Sequence, residues 1–175
     1  MRVGIALGSN LGDRMANLRG ARQAIAGLVG NKNLVVSPVY ETEPINCEPG
    51  AQKFLNAVLE IDYDGDPTEL LEHMIRIEES LGRKRDHDHT ASPGYGVAGS
   101  VSRKIDIDLL YADELAVTNE QLQLPHPRMH LRRFVLQPLA EIRPELVLPD
   151  QTKTVRQLLA ELKDSATVIR FAENW

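Results

Sequence analysis

The chain has 175 residues, 42% hydrophobic and 26% charged, with a net charge of −5 and a single cysteine. A length of this order fits one domain that buries about two-thirds of its unfolded surface without disulfides, and Cys47 has no second thiol to pair with. No apolar run approaches the roughly 20 residues that span a bilayer, and an acidic balance does not suit extended nucleic-acid binding, so a cytoplasmic protein that meets only small phosphates is expected.

RVGIALG alternates at every second residue, with Val3, Ile5 and Leu7 on one side, and reads as a first strand rather than an export signal, ended by Gly8. Asp13 stands at an N-cap position, and Leu18, Ala21, Ile25 and Leu28 recur at helical spacing up to Gly30. NLVVSPVYETEP predicts a second strand interrupted by Pro38, and Pro44 to Gly50 a loop. In KFLNAVLEIDYD the alternation puts Leu55, Ala57, Leu59 and Ile61 on one apolar face and leaves Phe54, Asn56 and Val58 on the other. DPTELLEHMIRIEESLG predicts a helix with Pro67 near its first position and Gly82 at its end. Its apolar stripe is Leu71, Met74 and Ile75, bordered by Glu78.

Residues 86–102 lose all periodicity and predict a long loop. RKIDIDLLYA returns to strand pattern, with Ile105, Ile107 and Leu109 on one face and Asp106, Asp108 and Leu110 on the other. LAV and LQLPHP suggest a short strand pair, Arg133 to Ile142 and Val155 to Leu162 two helices, and TVIRF a short apolar tail. This order of elements favours a single-domain α+β sandwich with a mainly antiparallel sheet.

Two motifs in the central region point to different chemistries. Gly94, Gly96 and Gly99 spell G-x-G-x-x-G, but DHDHTASP before them is no strand and no helix starts within them, so a dinucleotide site is not expected. Asp106 and Asp108, at i and i+2 on a strand, point to the same side, where like charges repel unless a cation lies between them. Such hard oxygen ligands suit Mg²⁺, although the pair alone fits a solvated strand face equally well. Arg83, Lys84, Arg85, Arg103 and Lys104 bracket the long loop, and metal with phosphate explains an acidic pair set among cations. The first three alone would also suit a helix C-terminus. His87 and His89 lack an obvious third ligand and read as solvent-exposed.

LGSNLGDR, SPVYETEP, FLNAV, IE followed by LGRKR, RKIDIDLLY and LPHPRMHLRRFVLQPLAEIRPELVLPD occur in an order that resembles the 6-hydroxymethyl-7,8-dihydropterin pyrophosphokinase family across nearly the whole chain. The resemblance implies a ferredoxin-like α+β fold and transfer of pyrophosphate from ATP to the pterin hydroxymethyl group, leaving AMP, in folate synthesis. It implies two Mg²⁺ at Asp106 and Asp108. A pterin site would comprise Thr42, the nearby backbone of Glu43 and Ile45, Asn56, and the rings of Phe54 and Phe134. On the nucleotide side it implies Glu78, Arg83, Arg85, Arg103, His126 and Arg132, with Arg83, Arg85 and Arg103 counted beside the two aspartates in catalysis. Read without the resemblance, Phe134 fits core packing and His126 a turn. The family's loop before the aspartate strand is usually shorter and often carries a tryptophan; here Tyr95 is the aromatic that could take its place. A monomer, loosely associated with other folate-pathway enzymes, is expected. The competing reading is a silent pterin- or nucleotide-binding module of the same fold, against which both aspartates, Glu78 and the arginines argue.

Overall fold

A computed structural model describes residues 1–30, 33–44, 49–83, 102–149, 151–164 and 166–175. In chain order these form β1 (Arg2–Ser9), α1 (Arg14–Leu28), β2 (Val35–Val36), β3 (Val39–Thr42), β4 (Phe54–Asp62), α2 (Pro67–Ser80) and β5 (Asp106–Ala112). The short pair β6 (Val117–Thr118) and β7 (Gln123–Leu124) follows, then a 3-10 turn (Met129–Leu131), α3 (Arg133–Ile142), α4 (Val155–Glu161) and β8 (Val168–Ala172).

The main sheet runs β5-β1-β4-β3-β8, every neighbouring pair antiparallel, with β2 also hydrogen-bonded to β4. The expected mixed α+β architecture with a mainly antiparallel sheet is what the chain adopts. Pro38, which has no N–H for a ladder, separates β2 from β3. At that break the Ser37 hydroxyl accepts from the Val58 N–H at 2.9 Å.

Alternation in the strands divides the molecule into two cores. Val3, Ile5, Leu7, Leu55, Ala57, Leu59, Ile61, Ile107 and Leu109 face α1 and α2. Val58, Leu110 and Tyr111 face the other way, against Met129 and the Val135, Leu136 and Leu139 stripe of α3. Asp13 caps α1 by accepting from the Ala16 N–H at 3.0 Å, and Asp66 caps α2 ahead of Pro67, accepting from Thr68 N–H at 2.7 Å.

The structure departs from the local reading in four places. Gly8 does not end the first strand, because Gly8 and Ser9 still pair with Asn56 and Leu55. Leu28 is 40% exposed, and the buried side of α1 is made by Leu18, Ala21, Ile25 and Ala26. The inner stripe of α2 is Leu70, Leu71, Met74 and Ile77, with Ile75 only partly covered and Glu78 fully inside. TVIRF is no loose tail: as β8 it pairs with β3, and Trp175 after it donates its indole N–H to the Ser37 carbonyl at 2.8 Å. No helix among the described residues is long and apolar enough to cross a membrane.

Candidate active site

The register gathers the predicted polar residues on the α3 side of the sheet, at one end. Gly8 of β1 is opposite Asn56 of β4 and Asp106 of β5, Asn56 is opposite Tyr40 of β3, and Ala6 is opposite Asp108. Thr42 and Phe54 form the next rung outward. Strands lie about 4.8 Å apart, so Asn56 and Asp106 stand roughly 10 Å from one another with Gly8 as the floor between them. A Cβ on Gly8 would meet Asn56 Oδ1 at 3.3 Å and Asp106 Cβ and Phe54 Cδ1 at 3.9 Å, so a glycine there keeps the floor flat.

On the β5 side the carboxylates are set in a frame of cations. Arg83, just past α2, reaches Asp106 Oδ1 with Nη1 at 2.7 Å, and Arg103 reaches the same oxygen at 2.9 Å. Arg83 also pairs with Glu78. Glu78 is 1% exposed and accepts from the Ile107 N–H at 2.7 Å, so one buried carboxylate ties the end of α2, the Arg83 guanidinium and the backbone of β5 together. Arg132 stands 3.9 Å from Asp108 and lies over the Phe134 ring, 5.5 Å from its centroid. His126 is buried; its Nδ1 accepts from the Arg128 N–H at 3.1 Å and its backbone N–H donates to Leu110 at 2.7 Å.

These neighbours set unequal protonation. Burial opposes the charge on Asp106, but Arg103 and Arg83 outweigh it and hold the carboxyl below its usual range. Burial, and then the charge on Asp106, push Asp108 up to about 7. Burial, with Arg132 and Arg128 nearby, lowers His126 to about 4 and keeps it neutral. Burial and a like charge beside it both oppose the ionised form of Asp108, and a cation held between the two carboxylates would favour it. Two carboxylates on one strand face, with no cluster of three or more acidic, histidine or cysteine ligands among the described residues, fit a hard divalent cation whose shell is completed by water and phosphate.

On the β3 and β4 side, the Asn56 amide donates to Thr42 Oγ1 at 2.9 Å, and both residues are buried. Phe54 stays half-buried beside them, and Phe134 packs partly against the α3 core under Arg132. Glu43 is at the surface, paired with Lys53 at 2.6 Å. Ile45, Arg85, His87, His89, Tyr95, Cys47 and the glycines of the central motif lie outside the described residues.

A profile of the 7,8-dihydro-6-hydroxymethylpterin-pyrophosphokinase (HPPK) family matches residues 4–144, which take in every side chain of this cluster. The chain belongs to the HPPK family. A Methylorubrum extorquens 2-amino-4-hydroxy-6-hydroxymethyldihydropteridine pyrophosphokinase is 40% identical over 94% of this chain and 95% of its own. The Bacillus subtilis protein of the same name is 44% identical over 79% and 75%. Among solved structures, Plasmodium falciparum HPPK-DHPS superposes with a TM-score of 0.64 at 14% identity, over 91% of this chain. The present chain spans only 45% of that longer one, and the likeness shows the HPPK fold.

Two residues of the site carry no signal that assigns them a role. Gly8 reads as a strand terminator, and only its pairing on both sides shows it to be the floor. Asn10, inside LGSNLGDR, is fully buried and bonds to residues far away in sequence. The only local cue to either is the unusual run of a glycine, a serine and an asparagine directly after an apolar strand.

Proposed function

We propose that the protein transfers pyrophosphate from ATP to the hydroxymethyl group of 6-hydroxymethyl-7,8-dihydropterin in folate biosynthesis, giving AMP and the pterin pyrophosphate, with two Mg²⁺ held by Asp106 and Asp108. Family membership and the named relatives support the reaction. The observation that carries the site assignment is the single sheet face on which the Asn56–Thr42 pair and the two aspartates stand either side of Gly8.

When bound, Mg²⁺ would neutralise phosphate charge and act as a Lewis acid at the transferred group. The chain supplies the rest. Arg83, Arg103 and Arg132, with Arg85 by the resemblance, offer guanidinium forks that match phosphate oxygens, and Glu78 fixes the aim of Arg83. Neutral His126, whose Nδ1 accepts from the Arg128 N–H, offers its Nε2–H as a donor at the nucleotide. The amide of Asn56, one N–H already on Thr42, keeps its oxygen for a donor on the heterocycle, while the backbone of Glu43 and Ile45 completes the pterin's polar edge. Phe54 and Phe134 stack on the ring. The hydroxymethyl oxygen, aligned across the Gly8 floor, bonds to the β-phosphorus. The bond from that phosphorus to the bridging oxygen breaks with its electrons leaving on AMP, and the hydroxyl proton is released.

The same reading takes residues 1–175 as one ferredoxin-like domain. The succession β1, α1, β3, β4, α2, β5, with the sheet order β5-β1-β4-β3, supports it; β8 would be an added edge strand. It also takes the enzyme as a cytoplasmic monomer that works beside other folate-pathway enzymes. The relative named Folic acid synthesis protein fol1 in Schizosaccharomyces pombe, only 20% of which this chain covers, supports that association.

The test is incubation with the pterin, ATP and Mg²⁺, with and without chelator, followed by separation of the nucleotides. AMP formed in step with pterin pyrophosphate, and only with metal, is expected. ADP as the product would mean a different transfer. Pterin binding without turnover would replace the enzyme by a silent binding module.

A further inference from the structure

Asn10 sits between the two halves of the proposed site and touches both. It is 0% exposed, directly after β1. Its backbone N–H donates to the Arg103 carbonyl at 3.1 Å and its Oδ1 accepts from the Arg103 N–H at 2.7 Å, which closes a two-bond bridge. Its Nδ2 donates to Ser102 Oγ at 3.0 Å and to the Gln52 carbonyl at 3.3 Å. Gln52 lies two residues before Phe54, and Arg103 three before Asp106. Ser9 reinforces the junction by donating to the Lys104 carbonyl and accepting from Asn17 at 3.1 Å. One buried amide, with its oxygen and both N–H donors engaged, therefore links the entry to the pterin strand with the entry to the metal strand. In a buried place each of these bonds is costly to leave unmade, so a shift of either entry is felt by the other.

We infer that Asn10 is a positioning residue that couples the two substrate sites, so that nucleotide bound at Arg103 and Asp106 sets the position of the strand entry at Gln52 that leads to the pterin residues. The inference rests on the substrate assignment above. Reciprocity requires that pterin raise nucleotide affinity by the same factor. Asn10→Asp keeps the acceptor for the Arg103 N–H but turns an oxygen toward the Gln52 carbonyl, and Asn10→Ser is uncharged and too short to reach it. Ser102→Ala removes only the hydroxyl contact.

The experiment is equilibrium titration of pterin into the full chain with Mg²⁺, with and without saturating α,β-methylene-ATP, which cannot release AMP. The wild type is expected to bind pterin at least about 5-fold tighter with the analogue. Asn10→Asp and Asn10→Ser should bring that ratio to within about 2-fold of one while binding the analogue alone within about 3-fold of wild type. Ser102→Ala should keep the wild-type ratio. A wild-type ratio of one, or variants that weaken each ligand alone and leave the ratio unchanged, would overturn the coupling role, the latter being what a merely structural residue gives. A wild type that binds neither ligand would overturn the substrate assignment itself, and this inference with it.

Discussion

Both ends of the α3 face of the sheet rest on a glycine of β1, and the two ends are built oppositely. At Gly4 a Cβ would meet the Tyr111 ring at 2.2 Å, so the protein has laid its own aromatic ring on the strand. Beside it Glu60, nearly fully buried, accepts from Tyr111 Oη and from Arg143 Nε, each at 2.7 Å. At Gly8 no ring among the described residues lies across the strand; the walls are an amide, a carboxylate and the edge of Phe54. There the second carboxylate, Asp108, is pushed up to about 7 instead of being matched by donors. The same strand, face and residue types thus give a closed polar network where a protein ring fills the gap, and an open one with an unmatched carboxylate where the proposed function puts the ligands. On that proposal stability lives at the first end and chemistry at the second.

The contrast breaks most sharply at Asp108. If Asp108 holds Mg²⁺ as proposed, Asp108→Ala should lower kcat by about 10³-fold or more, since a Lewis-acid contact would supply several kcal/mol and each 1.4 kcal/mol is tenfold. Its melting temperature should hold or rise, because Asp106 loses a like-charged neighbour. A large fall in melting temperature would move Asp108 to the structural side of the comparison.

His126 tests the same end through pH. Its folded pKa of about 4 lies below the unfolded value near 6.5, so the unfolded chain takes the proton first. The stability it supports is complete above pH 6.5 and is lost as pH falls toward 4, to the extent of about 3 kcal/mol. Urea unfolding of wild type and His126→Gln across pH 4–7 should show the difference between them shrinking as pH drops. A difference independent of pH would mean that the imidazole is not held neutral.

The two glycines separate next. Gly4→Ala must displace the Tyr111 ring and should cost about 2–3 kcal/mol of unfolding free energy, with kcat of the folded fraction unchanged. Gly8→Ala asks Asn56 to yield only a few tenths of an ångström. It should leave stability within about 1 kcal/mol and instead raise the pterin KM by roughly tenfold, a shift of about 1.4 kcal/mol. Equal stability losses at both positions would erase the distinction between the filled and the open end.

What could be read from the sequence was what repeats locally. Period-two alternation placed Phe54 and Asn56 away from the α1 and α2 core and put Asp106 and Asp108 on one side, and the structure keeps both assignments. Bracketing arginines showed as charge composition, and two of them, Arg83 and Arg103, meet at a single aspartate oxygen. What stayed hidden depended on distant partners. Asn10 bonds across 42 residues to Gln52 and across 93 to Arg103, and no local period encodes such a contact. Glu78 reads as a helix border because its partner, the Ile107 N–H, lies 29 residues on. β8 was invisible as a strand because Ile169 and Phe171 remain about half exposed, and its pairing partner β3 lies far upstream.

The central place of β1 also bears on how the chain is made. β1 precedes both of its neighbours, β4 and β5, in the chain, and the β5 pairing is complete only when Ala112 is available. At 5–20 residues per second, the roughly 100 residues between Ser9 and Ala112 take about 5–20 s to synthesise. For that time the apolar run from Val3 to Leu7 has at least one unpaired edge, which leaves it open to wrong strand pairing.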